Sequence, residues 1–152
     1  MSNCVNWSHE RIAVGEDGTA ASGREVAALT RPGDLWLVSG EVGAGKSTLV
    51  RAALRELGVT GAIPSPTFTI GRLYELPGQA FPAAHLDLYR LGDLAGEDPG
   101  LLVEYFGPDR ASFVEWPGGA EEDLKEMATR TGRVAIDHID EGSRRIRIQP
   151  PS

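Results

Sequence analysis

A chain of 152 residues that is 41% hydrophobic and 24% charged can bury one sizeable core, and it is short for two ordinary domains. Its single cysteine excludes an internal disulfide, and no apolar run approaches the roughly 20 residues that span a bilayer, so we expect a cytoplasmic protein without membrane contact. The formal net charge of -7, with carboxylates outnumbering basic groups between Asp87 and Glu126, argues against strong, direct binding of nucleic acid.

The first half of the chain predicts a helix, followed by a strand, a glycine-rich loop and a second helix. A helix is expected from Thr19 to Leu29, with the threonine hydroxyl as its cap. The short apolar run Leu35 to Val38 is predicted to be a strand that leads directly into glycines. From Lys46 to Leu57 apolar residues recur at helical spacing, and Gly58 ends the helix. This order is the context that a phosphate-binding P-loop requires.

The second half of the chain predicts further strands and one surface helix. Residues 69–76 and 83–91 are predicted to form an antiparallel hairpin, and Ala111 to Val114 a short strand that ends at Glu115. Residues 120–129 favour a surface helix, and alternation in 134–139 and 145–148 indicates a closing hairpin. The fold class expected is α/β: a single P-loop NTPase-like domain with a mixed β-sheet flanked by helices.

The segment Gly40 to Ser47, Gly-Glu-Val-Gly-Ala-Gly-Lys-Ser, matches the P-loop pattern. Glycines let the backbone wrap closely around phosphates, whose oxygens accept hydrogen bonds from N–H groups at a helix N-terminus. A lysine in this position reaches the β- and γ-phosphates, and the following hydroxyl ligates Mg²⁺. The residues predicted here to bind nucleotide are Glu41, Val42, Gly43, Ala44, Gly45, Lys46, Ser47 and Thr48.

A P-loop also needs a carboxylate for the metal, usually at the end of a neighbouring apolar strand. Two candidates fit this role. Glu115 ends the apolar run Ser112 to Val114, whereas Asp87 lies inside a segment of alternating character. The pattern favours Glu115 as the metal partner and Asp87 as a second acid near the γ-phosphate.

The nucleotide expected is ATP. Guanine-specific P-loop proteins use an Asn-Lys-x-Asp element, and the only asparagines here, Asn3 and Asn6, lie far upstream of the P-loop. Transport ATPases carry a Ser-Gly-Gly signature after the P-loop, which this chain lacks. We therefore expect MgATP as the ligand.

Four sequence elements together resemble the TsaE family, formerly called YjeE. They are the P-loop at 40–47, Ser-Pro-Thr-Phe at 65–68, His-Leu-Asp-Leu-Tyr-Arg at 85–90 and Glu-Trp-Pro at 115–117. They occur in the family's order and spacing, and the resemblance covers the chain from about residue 19 to residue 148. Residues 1–13 extend beyond the common start, which suggests a flexible N-terminal extension before an ATPase domain at 14–152.

The resemblance implies a bacterial ATPase that works with TsaB and TsaD. Their common task is the threonylcarbamoyl modification of adenosine 37 in tRNAs reading ANN codons. The family's ATPase does not transfer the carbamoyl group; its ATP cycle is thought to reset the complex between rounds. The tRNA would then be contacted only indirectly, which agrees with the acidic composition.

The resemblance also implies roles for individual residues. Ser47 and Glu115 would bind Mg²⁺, and Thr67 would lie in a switch loop close to the γ-phosphate. Asp87 matches the family's second functional acid and is our first candidate to orient the attacking water. The remaining nucleotide contacts implied are Thr19, near the base, Trp116 and Arg144. Lys46, Asp87 and Thr67 are thus the residues expected to act in catalysis.

Two other functions remain open from the sequence. A small-molecule kinase could hold an acceptor hydroxyl with Asp87 and Arg90, although residues 92–110 contain only Arg110 for an arginine-bearing lid. A nucleotide-gated binding module, in which hydrolysis is incidental, would depend more on a surface patch than on turnover. Phosphate release with and without acceptors and partners would separate these functions.

Overall fold

A computed structural model of the protein describes residues 7, 9–41, 43–63, 71–79, 81–88, 104–115 and 121–152. Its elements, in chain order, are β1 (His9–Val14), α1 (Gly15–Leu29), β2 (Asp34–Gly40), α2 (Lys46–Leu57), β3 (Gly71–Tyr74), β4 (Ala83–Asp87), β5 (Ala111–Glu115), α3 (Glu121–Glu126), β6 (Arg130–His138) and β7 (Ser143–Gln149). No helix within these ranges is long and apolar enough to cross a membrane.

The described strands form one seven-stranded sheet in the order β1-β7-β6-β2-β5-β4-β3. The four central strands, β6, β2, β5 and β4, run parallel to one another. Antiparallel partners extend this centre on both sides, with β7 and β1 beyond β6 and with β3 beyond β4. The sheet is therefore mixed, and the predicted α/β class is confirmed.

The sheet has a hydrophobic core on each face. On one face Trp36 and Val38 of β2 belong to a cluster with α1 and α2, which contribute Val26, Leu49 and Leu54 among others. On the other face Leu35 and Leu37 belong to a cluster with Leu124 of α3. Strands β2, β4 and β5 are buried over several consecutive residues, because a hydrophobic cluster covers each of their faces.

A glycine lets the two helices on the first face approach closely. A Cβ atom at Gly23 of α1 would lie 2.3 Å from the carbonyl oxygen of Leu49 in α2. Any larger residue at this position would push α1 away from α2. The same packing brings Thr19 to the start of α2, since a Cβ atom at Gly45 would lie 3.3 Å from the Cγ2 atom of Thr19.

The start of the fold differs from the sequence prediction. Helix α1 begins at Gly15, not at Thr19, and no side chain caps it. Thr19 lies inside the helix, where its hydroxyl donates to the carbonyl of Gly15 at 3.4 Å. The early start coincides with a tertiary contact, because the Gly15 N–H donates to the carbonyl of Gly142 at 2.8 Å. Local sequence does not reveal a contact of that kind.

Strand β1 is absent from the sequence prediction. Its residues pair antiparallel with β7, from His9 opposite Ile148 to Val14 opposite Ser143. Residues 9–13, which were assigned to a flexible extension, thus form the edge of the sheet. The segment has little apolar alternation of its own, and it becomes a strand because the backbone of β7 offers it a partner.

The other predicted elements are present with shifted ends. Strand β2, helix α2, strand β5 and both hairpins occur where the sequence indicates them. Helix α3 covers Glu121–Glu126 and is shorter than the predicted 120–129. Boundaries shift because pairing and packing, not local propensity, decide where an element ends.

Candidate nucleotide and metal site

The P-loop joins the end of β2 to the start of α2, as the pattern predicts. Gly43 and Gly45 have φ angles of 78° and 109°, in the left-handed region that side chains rarely adopt. These two glycines let the chain fold back at the N-terminus of α2. The N–H groups of the first helical turn, together with the helix dipole, give the N-terminus of α2 the positive character that favours an anion.

Lys46 is held over the loop by the loop's own carbonyls. Its Nζ donates to the carbonyl oxygens of Gly40 and Glu41, both at 2.8 Å, and the residue is 4% exposed. Burial lowers the pKa of Lys46 below its usual value, and the nearby carboxylates of Glu115 and Asp87 act in the opposite direction. Lys46 thus lies between the loop carbonyls and two acids.

Ser47 and Glu115 meet although 68 positions separate them in the chain. The Ser47 hydroxyl lies 2.9 Å from Oε1 of Glu115 and 3.2 Å from Oε2, and it donates to the carboxylate. Glu115 is 2% exposed. The contact forms because β5 lies beside β2 in parallel, so that its carboxyl end reaches the first turn of α2. The structure therefore brings together the two residues predicted to hold a metal.

Asp87 stands beside Glu115 at the same edge of the sheet. The two residues are register partners in the parallel strands β4 and β5. Asp87 is the last residue of β4, and the residues before it are all buried. The prediction that it lies within an alternating strand is therefore wrong, because β4 is covered on both faces. Both acids instead occupy strand ends, where ligands of parallel sheets usually bind.

His85 completes this group; from the sequence it is known only as the first residue of a family motif, which gives it no role. Its ring is fully buried, and its Nε2 is hydrogen-bonded to Oε2 of Glu115. The residue precedes Asp87 by two positions, so both side chains lie on the same face of β4. A single histidine in a short strand gives no sequence signal of this contact, which depends on the register between β4 and β5.

A cavity of about 310 Å³ lies next to the P-loop. Its walls come from the P-loop and α2, from the β1–α1 junction and from the β6–β7 turn: Gly15, Glu16, Thr19, Gly43, Ala44, Gly45, Thr48, Glu141, Gly142 and Arg144. The volume is in the range of small-molecule sites. Six of the residues predicted to bind nucleotide therefore line one cavity.

Arg144 ties the β6–β7 turn to the P-loop. Its Nε donates to the carbonyl of Ala44 at 3.2 Å. Its Nη1 donates to the carbonyls of Asp140 and Ser143, at 2.8 and 3.0 Å. These carbonyls hold the guanidinium at the wall of the cavity, where it adds positive charge beside the phosphate-binding loop.

The donor set at Ser47 and Glu115 suits Mg²⁺. This ion prefers oxygen ligands and usually takes one or two protein groups together with water and substrate phosphates. A hydroxyl and a carboxylate in contact at the N-terminus of α2 meet that requirement. The described residues contain no group of three or more His, Cys, Asp or Glu side chains that could hold a metal alone.

Comparison with known proteins shows the family to which this geometry belongs. The family model "Threonylcarbamoyl adenosine biosynthesis protein TsaE" matches residues 14–146. The chain belongs to the TsaE family. Among similar relatives, the tRNA threonylcarbamoyladenosine biosynthesis protein TsaE of Streptomyces coelicolor is 42% identical over 121 residues, covering 78% of this chain and 82% of the relative. Its Bacillus subtilis counterpart is 38% identical over 113 residues, covering 74% and 69%.

A solved TsaE-like fold has the same architecture. The crystal structure of YdiB from Bacillus subtilis superposes with a TM-score of 0.72 and 28% sequence identity, covering 93% of this chain and 85% of that one. The resemblance to the TsaE family inferred from four short motifs is thus confirmed over most of the chain.

Some of the predicted site residues lie outside the described residues. Val42, Thr67 and Trp116 are among them, so their predicted roles stay predictions. Other cavity residues were not predicted at all: Gly15, Glu16, Glu141 and Gly142. They come from two turns at opposite ends of the chain, and only the pairing of β1 with β7 brings these turns together.

Proposed function

We propose that this protein binds MgATP at the P-loop and hydrolyses it. The observation that carries the proposal is the contact between Ser47 and Glu115 at the start of α2, beside Lys46. This is the arrangement expected where a P-loop hydroxyl and a strand-end carboxylate share one cation. The neighbouring cavity supports the proposal further, because it extends from the P-loop to Thr19 and Arg144.

The nucleotide is proposed to occupy the P-loop and the adjoining cavity. The backbone N–H groups of Gly43 to Lys46 would bind the phosphates, and the cavity between the P-loop and Thr19 would take the sugar and base. Its volume of about 310 Å³ is sufficient for a nucleoside. Lys46 would exchange its bonds to loop carbonyls for bonds to the β- and γ-phosphates.

The metal is proposed to be Mg²⁺, held by Ser47 and Glu115. When bound, it would neutralise phosphate charge as it develops during hydrolysis. Glu115 suits this role because its carboxylate already lies against the Ser47 hydroxyl. Asp87, which is only partly buried, faces the same strand edge and would orient the attacking water. Thr67 is proposed to contact the γ-phosphate from the switch loop.

Hydrolysis would rest on positioning and charge. P-loop ATPases bind the transferred phosphoryl group with loop amides, a lysine and the metal, and they do little covalent chemistry. Lys46 and the loop supply the positive charge here, and Asp87 is the proposed partner of the water. The protein would then be a P-loop ATPase, and membership of the TsaE family supports one that is slow alone and active within a complex.

The biological role proposed is the formation of threonylcarbamoyladenosine at position 37 of tRNAs reading ANN codons. The names of the relatives, tRNA threonylcarbamoyladenosine biosynthesis proteins, support this pathway. TsaD and TsaB are the proposed partners in the cytoplasm, and tRNA contact would be indirect because the chain carries a net charge of -7.

The proposal is tested by phosphate release under three conditions: protein alone, with candidate small-molecule acceptors, and with TsaB and TsaD. We expect slow release alone and faster release, or faster tRNA modification, with both partners. Stoichiometric transfer of phosphate to an acceptor would instead identify a kinase. Nucleotide binding without any hydrolysis under all three conditions would identify a binding module.

A further inference from the structure

His85 lies behind the proposed metal carboxylate. Its Nε2 is hydrogen-bonded to Oε2 of Glu115, while the Ser47 hydroxyl is nearest to Oε1 of the same carboxylate. The imidazole is fully buried and Glu115 is 2% exposed. Glu115 is therefore held from two sides, by a ring from β4 and by a hydroxyl from α2.

The contact comes from the register of the sheet. Asp87 of β4 pairs with Glu115 of β5, so His85 lies one repeat back on the same face of β4. This is the face covered by α1 and α2, where Ala83 and Phe113 belong to the apolar core. His85 thus lies between the core residue Ala83 and the strand-end acid Asp87 on that face of β4.

The second ring nitrogen strengthens the argument. Nδ1 of His85 is buried and has no hydrogen-bond partner among the residues that the structure describes. A buried polar atom without a partner costs free energy, about 1–3 kcal/mol for a typical group. An apolar side chain of similar size would avoid that cost and still fill the space. The hydrogen bond to Glu115 is therefore the interaction that a histidine provides at this position and that a leucine could not.

We propose that His85 is a positioning residue for the metal site. It fixes the orientation of the Glu115 carboxylate and donates Nε2–H to one oxygen, which leaves the other oxygen to face Ser47 and the cation. Partners of this kind orient metal ligands, and their removal typically weakens metal affinity by about 10- to 100-fold. The inference rests on the proposed role of Glu115 and Ser47 in binding Mg²⁺.

The test compares three variants. His85→Gln places an amide N–H near the position of Nε2, His85→Asn places its amide too far back, and His85→Leu removes all polar atoms. The affinity of a non-hydrolysable ATP analogue is measured by calorimetry with Mg²⁺ and with a chelator. The ratio of the two dissociation constants reports what the metal contributes, independently of turnover.

We expect the Leu and Asn variants to lose about tenfold or more of the Mg²⁺-dependent ratio. Their metal-free affinity should stay within about twofold, and His85→Gln should retain most of the ratio. Ser112→Ala is the matched control, since Ser112 is a buried polar residue of β5 on the other face of the sheet, bonded to the Tyr105 carbonyl. If His85 only supported the fold, its substitution would lower the nucleotide affinity equally with Mg²⁺ and with the chelator.

A measurement on the unaltered protein avoids dependence on variants that fold poorly. With ¹⁵N-labelled histidine, adding Mg²⁺ to the nucleotide complex should shift the ring signals of His85, whereas those of His9 and His138 should remain in place. Unchanged His85 signals, or variants that all keep the Mg²⁺-dependent ratio, would overturn the positioning role. If the wild type showed no Mg²⁺ dependence at all, the proposed metal site itself would be wrong.

Discussion

Asp87 and Glu115 are register partners at the carboxyl ends of two parallel strands, and the carboxylate of Glu115 accepts a hydrogen bond from the P-loop hydroxyl of Ser47. Glu115 is buried against Ser47, whereas Asp87 is partly exposed. Both carboxylates also act on Lys46. Their negative charge raises its pKa and so opposes the lowering that burial causes. Two acids on one sheet edge thus have different surroundings, and different surroundings support different tasks.

The first prediction separates these tasks by replacing each acid with its amide. Glu115→Gln should weaken Mg²⁺-dependent nucleotide binding and hydrolysis together, because one anionic partner of the cation is lost. Asp87→Asn should leave MgATP affinity nearly intact and lower turnover, since an interaction made mainly in the transition state affects rate and not binding. Mg²⁺ titrations of nucleotide affinity and phosphate release measure the two effects. The reverse outcome would assign the metal to Asp87.

The second prediction concerns Lys46. Lys46→Ala should lower phosphate release by about 100-fold or more, because the β- and γ-phosphates lose the lysine of the loop. The variant should fold, because the hydrogen bonds that the Lys46 Nζ donates to the carbonyls of Gly40 and Glu41 stabilise the loop and not the hydrophobic core. Release at the wild-type rate, measured with TsaB and TsaD present, would remove the P-loop from the mechanism.

Much of the fold was predictable because its signals are local. The strand, loop and helix around the P-loop follow from short apolar runs and three glycines, and the order of motifs indicated the family. Strand β1 and His85 were not predictable in this way. Strand β1 pairs with β7 from the far end of the chain, and the partner of His85 lies 30 positions away. Contacts of this range depend on register, which a single sequence does not display.

The third prediction concerns Arg144, which links the β6–β7 turn to the Ala44 carbonyl. Arg144→Met keeps most of the side-chain stem and removes the donors, so the cavity wall should lose its fixed geometry and its charge. Nucleotide affinity should fall by about tenfold, or 1.4 kcal/mol, with unchanged Mg²⁺ dependence. Arg145→Met is the control, because Arg145 is exposed and paired with Glu10 at 3.2 Å. Equal effects of the two substitutions would contradict a specific role for Arg144.

The fourth prediction is that ATP binds more tightly than GTP. Glu16 and Glu141 line the cavity, and their carboxylates can accept a hydrogen bond from the 6-amino group of adenine while repelling the O6 of guanine. Calorimetry should find at least a tenfold preference for ATP, about 1.4 kcal/mol. The double variant Glu16→Gln, Glu141→Gln should narrow this preference. GTP binding tenfold tighter than ATP would refute the adenine assignment.

The last prediction concerns the stability of the sheet. Asp34, at the start of β2, is 1% exposed and accepts two bonds of 2.7 Å from Arg130, at the start of β6. It also accepts the Arg31 N–H at 2.8 Å. Asp34→Ala should lower the free energy of unfolding by about 2–3 kcal/mol, because it removes charge-assisted hydrogen bonds in a buried place.

The matched control for Asp34→Ala is Asp109→Ala. Asp109 also pairs with an arginine, Arg110 at 3.2 Å, but its side chain is 69% exposed. Exposed pairs contribute little, so this control should leave the free energy of unfolding nearly unchanged. Urea unfolding of both variants measures the difference. Since Asp34 lies at the end of β2 remote from the P-loop, Asp34→Ala should keep its nucleotide affinity under conditions where it is folded. Equal stability of the two variants would show that the Asp34 and Arg130 contact does not hold β2 against β6.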